Sequence, residues 1–141
     1  MEGTDILIEE YNKHPVNNFA MEDATITRHE GNFICGDDIT VYLKINGDTI
    51  EKFSFDGNPS NITMAASSLL AELIEGQKID DVMERSYDTM AANGFDVLPK
   101  RRRAAVIALL AVRNAIHELK HETKEGTDQV IVEEFEDLLD D

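Results

Sequence analysis

The sequence has few cysteines, no long apolar run and no secretion signal, which argues against disulfide-bonded, membrane-spanning and secreted proteins. It has one cysteine, Cys35, so an internal disulfide is impossible and nothing requires an oxidising compartment. It has no apolar run near the roughly 20 residues that span a bilayer, so we expect no membrane-crossing helix. Residues 1–5 lack the basic start and apolar stretch of a secretion signal, which predicts a cytoplasmic location.

Basic residues are also scarce. The chain has 13 Lys and Arg against 29 Asp and Glu, which gives a formal net charge of −16 at pH 7. A general binder of phosphate backbones needs a positive surface, so we expect no nucleic-acid partner.

The length and composition that remain are those of one soluble globular domain. The chain has 141 residues, of which 42% are hydrophobic and 30% charged. Residues 1–121 are predicted to form the domain, and residues 122–141 an acidic C-terminal tail with nine acidic residues and one lysine. In the tail, Val132, Phe135 and Leu139 recur at helical spacing. The tail therefore either docks as a short helix or is a frayed acidic end that favours solubility.

The first half of the domain shows a period of two residues. Ile39, Val41 and Leu43 alternate with less apolar residues, and Asn46-Gly47 is a hairpin signal. With the segments around residues 25–32 and 50–55, this pattern predicts an antiparallel meander of three strands.

From Ser60 onward the period changes to about 3.6 residues, which indicates helices. One helix is predicted to close at Gly76, a short one to follow around residues 79–83, and a long one to run from about Arg101 to His121. We therefore predict an α+β fold in which helices pack on one face of a three-stranded antiparallel sheet, an IscU/SufE-like arrangement.

The triplet Cys35-Gly36-Asp37 lies between two predicted strands and places a thiol beside a carboxylate. A loop thiolate can accept a persulfide sulfur or ligate a soft metal. The other interpretation is structural, because an isolated cysteine commonly behaves as a small buried apolar residue.

Several short motifs, in this order, resemble the iron-sulfur cluster assembly scaffold family of the IscU and NifU N-terminal type. The similarity covers roughly residues 4–120. The motifs are His14-Pro15-Val16-Asn17, Cys35-Gly36-Asp37-Asp38-Ile39, Phe53-Ser54-Phe55-Asp56-Gly57, Ala65-Ala66-Ser67-Ser68-Leu69-Leu70 with Glu72 and Gly76, and Ile79-Asp80-Asp81.

The resemblance also implies a ligand set, which this sequence keeps only in part. In the family, three cysteines and an Asp, with a histidine beside the third cysteine, hold a nascent cluster or zinc. Cys35 and Asp37 match the first cysteine and the Asp, but Ser60 and Ala104 stand at the other two cysteine positions and Arg103 at the histidine position. Cys35 and Asp37 alone cannot close a four-coordinate site. Iron, a 2Fe-2S cluster or zinc would then need a site shared in a homo-oligomer, and a metal-free protein is the alternative.

Histidines offer one further pair of ligands. His117 and His121 lie at i and i+4, a spacing that can chelate zinc, although solvated histidines near a helix end fit the pattern as well. His14 and His29 are isolated, and we assign them no role.

The one basic cluster is Lys100-Arg101-Arg102-Arg103, which follows Pro99 at a predicted helix start where the helix dipole disfavours positive charge. The resemblance aligns residues 97–101 with the family's docking stretch for a specialised chaperone, where Pro99 and the terminal basic residue match in kind. An anion site in the vacated ligand pocket, pairing with the acidic tail and a solvated basic edge are the alternatives.

Two functions follow as hypotheses. The first is a degenerate assembly scaffold in which Cys35 is the sole sulfur-accepting or metal-ligating thiol, served by a cysteine desulfurase or another assembly protein. The second is a metal-free interaction or regulatory module on the same fold, which binds a partner of the assembly machinery. The sequence shows no catalytic triad, phosphate loop or paired-cysteine metal motif, so we do not expect an ordinary enzyme.

Overall fold

The computed structural model describes residues 2–32 and 37–120, and these contain one antiparallel sheet of three strands. The strands are β1 (Ile26–Asn32), β2 (Asp37–Asn46) and β3 (Thr49–Gly57), in that spatial order. The hairpin between β2 and β3 turns at residues 47–48, where Gly47 adopts a φ of +65° that suits glycine. The predicted meander is confirmed.

Apolar alternation determines which face of the sheet is buried. Ile39, Val41 and Leu43 of β2 are fully buried, whereas the residues between them are partly exposed. On β3, Phe53 and Phe55 pair with Leu43 and Val41 across the ladder and are fully buried as well. One face of the sheet is therefore apolar and is covered by helices.

The described residues form five α-helices. They are α1 (Glu2–Lys13), α2 (Asn61–Ile74), α3 (Ile79–Met83), α4 (Tyr87–Ala92) and α5 (Arg102–Leu119), with a 3-10 turn at Pro99–Arg101 directly before α5. Helix α5 packs on β1, β2 and α2, and α2 packs on β3 and α1. The predicted α+β class, with helices on one face of the sheet, is confirmed.

Helix α4 is not revealed by the hydrophobic pattern. It has six residues, too few to show a helical period, and it starts at a local cap in which Ser86 Oγ accepts a hydrogen bond from Asp88 N (3.3 Å). Its Tyr87 and Met90 are buried in a second apolar cluster with Phe95, between α1, α2 and the start of α5.

The segment between α4 and α5 is fixed by the N-terminal helix. Thr4 Oγ1 contacts the carbonyl oxygens of Gly94 (3.0 Å) and Asp96 (3.1 Å), and Asp96 N donates back to Thr4 Oγ1 (3.0 Å). These bonds hold the chain that leads into Pro99 and α5.

Over the described ranges, no helix combines the length and apolar character needed to cross a membrane.

Candidate functional site

Six residues that the sequence analysis singles out line one cavity of about 270 Å³. They are Asp37, Ser60, Lys100, Arg101, Arg103 and Ala104, and Gly31 and Ile107 complete the lining. The cavity lies where the end of β1, the start of β2, the first turn of α2 and the first turn of α5 meet. Residues up to 76 positions apart in the sequence are thus brought together by the fold.

A chain of hydrogen bonds joins three of these elements. Ser60 N donates to Asp37 Oδ1 (2.7 Å), and Ser60 Oγ accepts from Thr63 N (3.3 Å) as the N-cap of α2. Thr63, which is fully buried, donates through Oγ1 to the carbonyl oxygen of Ala104 (3.2 Å). Hydrogen bonds through Asp37, Ser60 and Thr63 therefore connect the first residues of β2, α2 and α5.

Thr63 was missed by sequence reasoning. Ser60 directly before an apolar helix is a signal for an N-cap, but it does not single out Thr63. Its bond to Ala104 is a tertiary contact that no local pattern indicates.

Two glycines position Asp37 and Asp38 from the neighbouring strands. Gly31 has a φ of +100° and Gly57 a φ of +119°, a region that side-chain-bearing residues rarely adopt. A Cβ at either position would lie closer than 3.0 Å to the backbone of Asp37 or Asp38. The start of β2 therefore approaches both neighbours as closely as only glycine permits.

Asp38 contacts His29, a residue to which the sequence analysis assigns no role. Its carboxylate Oδ1 contacts His29 Nε2 across the β1–β2 ladder. Successive side chains of a strand point to opposite faces, so this pair lies on the face of the sheet opposite Asp37. His29 has a structural contact and does not line the cavity.

Positive charge dominates the cavity. Lys100, Arg101 and Arg103 line it, and among the described lining residues Asp37 supplies the one carboxylate. Arg102 points elsewhere, with its guanidinium carbon 4.8 Å from the centre of the Tyr87 ring. It therefore anchors the start of α5 on α4.

Tyr87 completes this anchor. Its hydroxyl donates to Asp96 Oδ1 (2.6 Å) and accepts from Val97 N (2.8 Å). Burial, together with the bond to Asp96, raises the pKa of Tyr87 above its ordinary value of 10.0. The phenol thus stays protonated and keeps both bonds at neutral pH.

The described residues do not fit a four-coordinate metal. Asp37 Oδ1 already accepts from Ser60 N, Ser60 Oγ serves as a helix cap, and Ala104 offers no side-chain ligand. Over residues 2–32 and 37–120, no three His, Cys, Asp or Glu side chains are grouped closely enough to hold a metal ion. Cys35 and Gly36 lie outside the described residues.

The predicted histidine pair is not part of this cavity. His117 is in the last turn of α5, about 20 Å along the helix from Arg103, and His121 lies outside the described residues. The division at residue 121 and the acidic tail also fall at or beyond the end of the described part and stay predictions.

Comparison with known proteins assigns the chain to a family. Residues 3–126 match the model of the NifU-like N terminal domain. The chain belongs to this NifU-like family. It is 34% identical over 79 residues to the iron-sulfur cluster assembly scaffold protein IscU of Thermotoga maritima, a match that covers 54% of this chain and 56% of that protein.

Two further relatives of this NifU-like chain add to this comparison, one through a longer alignment and one through a different named function. A scaffold protein IscU of Archaeoglobus fulgidus is 30% identical over 105 residues, which cover 74% of this chain and 68% of that protein. A Bacillus subtilis relative, 30% identical over 93 residues that cover 64% of this chain and 63% of that protein, is named the zinc-dependent sulfurtransferase SufU. The relatives thus include both scaffolds and a named transferase.

Solved structures show the same fold. The crystal structure assigned to the SUF-system scaffold protein of Fervidobacterium islandicum has a TM-score of 0.67 at 23% identity, over 78% of this chain and 93% of that chain. The NifU-like N-terminal protein of Brucella abortus has a TM-score of 0.61 at 20% identity, over 83% and 94% of the two chains.

The Asp37 bond gives a prediction about stability in this NifU-like domain. Replacing Asp37 with alanine leaves the Ser60 N–H without its acceptor, so we expect a loss of about 1–3 kcal/mol in the free energy of unfolding. Asp37→Asn keeps an oxygen at the same place and should lose less than about 1 kcal/mol. Urea unfolding measures both, and equal midpoints for the two variants would show that the bond contributes nothing.

Proposed function

We propose that this chain takes part in iron-sulfur cluster assembly by accepting a sulfur atom on Cys35. One observation carries the proposal: Asp37, Ser60, Arg103 and Ala104 line a single cavity. At the family's ligand positions they supply a capping serine and an alanine in place of two thiols, and an arginine in place of the histidine. Cys35 is the only cysteine in the chain and stands two residues before Asp37, which lines that cavity.

A single thiol is sufficient for sulfur transfer and insufficient for a closed metal site. In the transfer, the Cys35 thiolate attacks the outer sulfur of a persulfide on a cysteine desulfurase. A new S–S bond forms at Cys35, the S–S bond of the donor breaks, and the donor thiolate leaves with the electron pair. Atoms and electrons balance, and the step needs no metal, oxidant or reductant.

The charges of the cavity support this chemistry. The proposal places the Cys35 sulfur at the cavity that Asp37 lines. There Lys100, Arg101 and Arg103 would favour the thiolate and the persulfide anion, against the opposing carboxylate of Asp37.

The names of the relatives agree with a sulfur-handling role without fixing it. Scaffold proteins and a zinc-dependent sulfurtransferase both occur among them.

A site shared by two chains, each bringing Cys35 and Asp37, is the arrangement that would let this protein hold iron, a 2Fe-2S cluster or zinc as cargo. A metal-free interaction module is the second candidate, favoured by the absence of side-chain ligands at Ala104 and of a free serine hydroxyl at Ser60.

The experiment is an analysis of protein purified without oxygen and then incubated with a cysteine desulfurase and cysteine. We expect the wild type to carry sulfane sulfur that cyanide releases as thiocyanate, little bound metal, and no acid-labile sulfide. Cys35→Ser, and wild type alkylated at Cys35 beforehand, should carry none of this sulfur.

Two other results would overturn the sulfur-acceptor proposal. Iron with acid-labile sulfide that disappears in Cys35→Ser would establish the shared cluster site in its place. Equal sulfur in wild type, Cys35→Ser and alkylated protein, including none in all three, would leave the metal-free interaction module.

A further inference from the structure

A second cavity adjoins the basic one, and the two share Arg101. It has a volume of about 280 Å³ and lies between α1, the start of α2 and the segment before α5. Its lining is largely apolar, with Ile8, Ile62, Val97 and Leu98, and Asp5 and Thr4 lie at its wall. The two cavities form a continuous surface that is apolar at one end and basic at the other, which we call the apolar-basic surface.

The apolar-basic surface exposes an apolar side chain and two cationic side chains. Leu98 is 53% exposed although it lines the apolar cavity. Over residues 2–32 and 37–120, neither Lys100 nor Arg101 forms a salt bridge with an acidic side chain. An exposed leucine beside two such cations suits a segment that carries apolar and acidic residues together.

The chain contains such a segment near its C-terminus. Residues 130–139 hold six apolar residues interleaved with four acidic ones, and two further Asp follow them. The Lys100 to Arg103 cluster is the one basic run of the chain. Charge and apolar character thus match the two ends of the apolar-basic surface.

Chain length also matches. Helix α5 has 18 residues and is about 27 Å long, so the end of the described chain lies about that far from Arg101. Residues 121–129 can span about 30 Å when extended. Residue 130, where the apolar-acidic segment begins, is therefore about the first that can reach the apolar-basic surface.

We propose that residues 130–139 dock within the same chain on the apolar-basic surface. The apolar side chains occupy the cavity lined by Leu98, and the acidic side chains pair with Lys100 and Arg101. This contact is independent of the sulfur chemistry proposed above, and its test does not involve Cys35.

A single tryptophan can report the contact, because the chain contains none. The full-length Phe135→Trp protein is measured by acrylamide quenching of tryptophan fluorescence. We expect a protected tryptophan, and we expect Arg101→Glu in the same protein to lower the docked-to-free ratio roughly fivefold. Salt at about 1 M, where the Debye length is about 3 Å, should have a similar effect.

Matched controls separate docking from general charge and hydrophobicity. Lys78→Glu makes the same charge reversal at an exposed position away from both cavities and should leave the protection unchanged. Leu98→Ala should reduce protection, whereas Ile6→Ala, at a residue 61% exposed and outside the cavity lining, should not. Hydrogen exchange tests the contact without the tryptophan. We expect the amides of residues 130–139 to exchange more slowly in the unsubstituted chain than in Arg101→Glu.

Three results would overturn the proposal. The first is a tryptophan that acrylamide quenches equally in Phe135→Trp and in its Arg101→Glu variant. The second is an equal loss of protection for Arg101→Glu and Lys78→Glu. The third is protection that rises with protein concentration, which would assign the surface to the tail of a second copy.

Discussion

Gly57→Ala is expected to lower the free energy of unfolding by about 3 kcal/mol or more. Gly57 ends β3 with a φ of +119°, which strains any residue that has a Cβ. The added Cβ would also lie closer than 3.0 Å to the backbone carbonyl of Asp38, and backbone cannot move aside as a flexible side chain can. Strain and overpacking therefore add at one position. Urea unfolding followed by circular dichroism measures the loss.

Gly47→Ala is the matched control for this prediction. Gly47 also has a positive φ, +65°, but a Cβ there would have no heavy atom within 4 Å. Its loss should be limited to the conformational cost, about 1–2 kcal/mol. Equal losses at the two positions would show that close packing against β2 is not what requires Gly57.

Phe53→Ala should cost about 3–5 kcal/mol in the free energy of unfolding. Phe53 is fully buried on β3, its ring centre is 6.2 Å from that of Phe55, and it belongs to the core between the sheet, α2 and α5. Truncation removes a large apolar side chain and leaves a cavity that neighbouring helices cannot fill without moving.

Phe19→Ala removes the same atoms from the surface. Phe19 is 39% exposed, and Lys52 Nζ lies 5.0 Å from its ring centre. The exposed cation-π contact is worth about 0.5–1 kcal/mol, so the loss should be well below that at Phe53. If thermal unfolding shows similar losses for the two variants, the sheet-helix core is less tightly packed than its burial indicates.

The sheet was predictable because its signals are local. Alternation at Ile39, Val41 and Leu43 follows from the two-residue period of a strand, and Asn46-Gly47 marks the hairpin. Helix α2 was equally visible from its apolar period and from the glycine that follows it. Each of these features is a property of a few consecutive residues.

Features that depend on distant residues were not predictable in this way. The bond between Thr63 and Ala104 joins residues 41 positions apart, and helix α4 is held mainly by burial of Tyr87 and Met90. The resemblance pointed to Ser60, Arg103 and Ala104, and the structure places all three on the cavity that Asp37 lines. It gave no indication of the adjoining apolar cavity, since that cavity arises from the packing of α1 against residues 97–98.

The most direct test of the central claim is the intact mass of the full-length protein after incubation with a cysteine desulfurase and cysteine, without oxygen. We predict that the wild type gains the mass of one sulfur atom, that a thiol reductant removes it, and that Cys35→Ser gains nothing. An unchanged wild-type mass, or the same gain in Cys35→Ser, would contradict a sulfur-accepting role for Cys35.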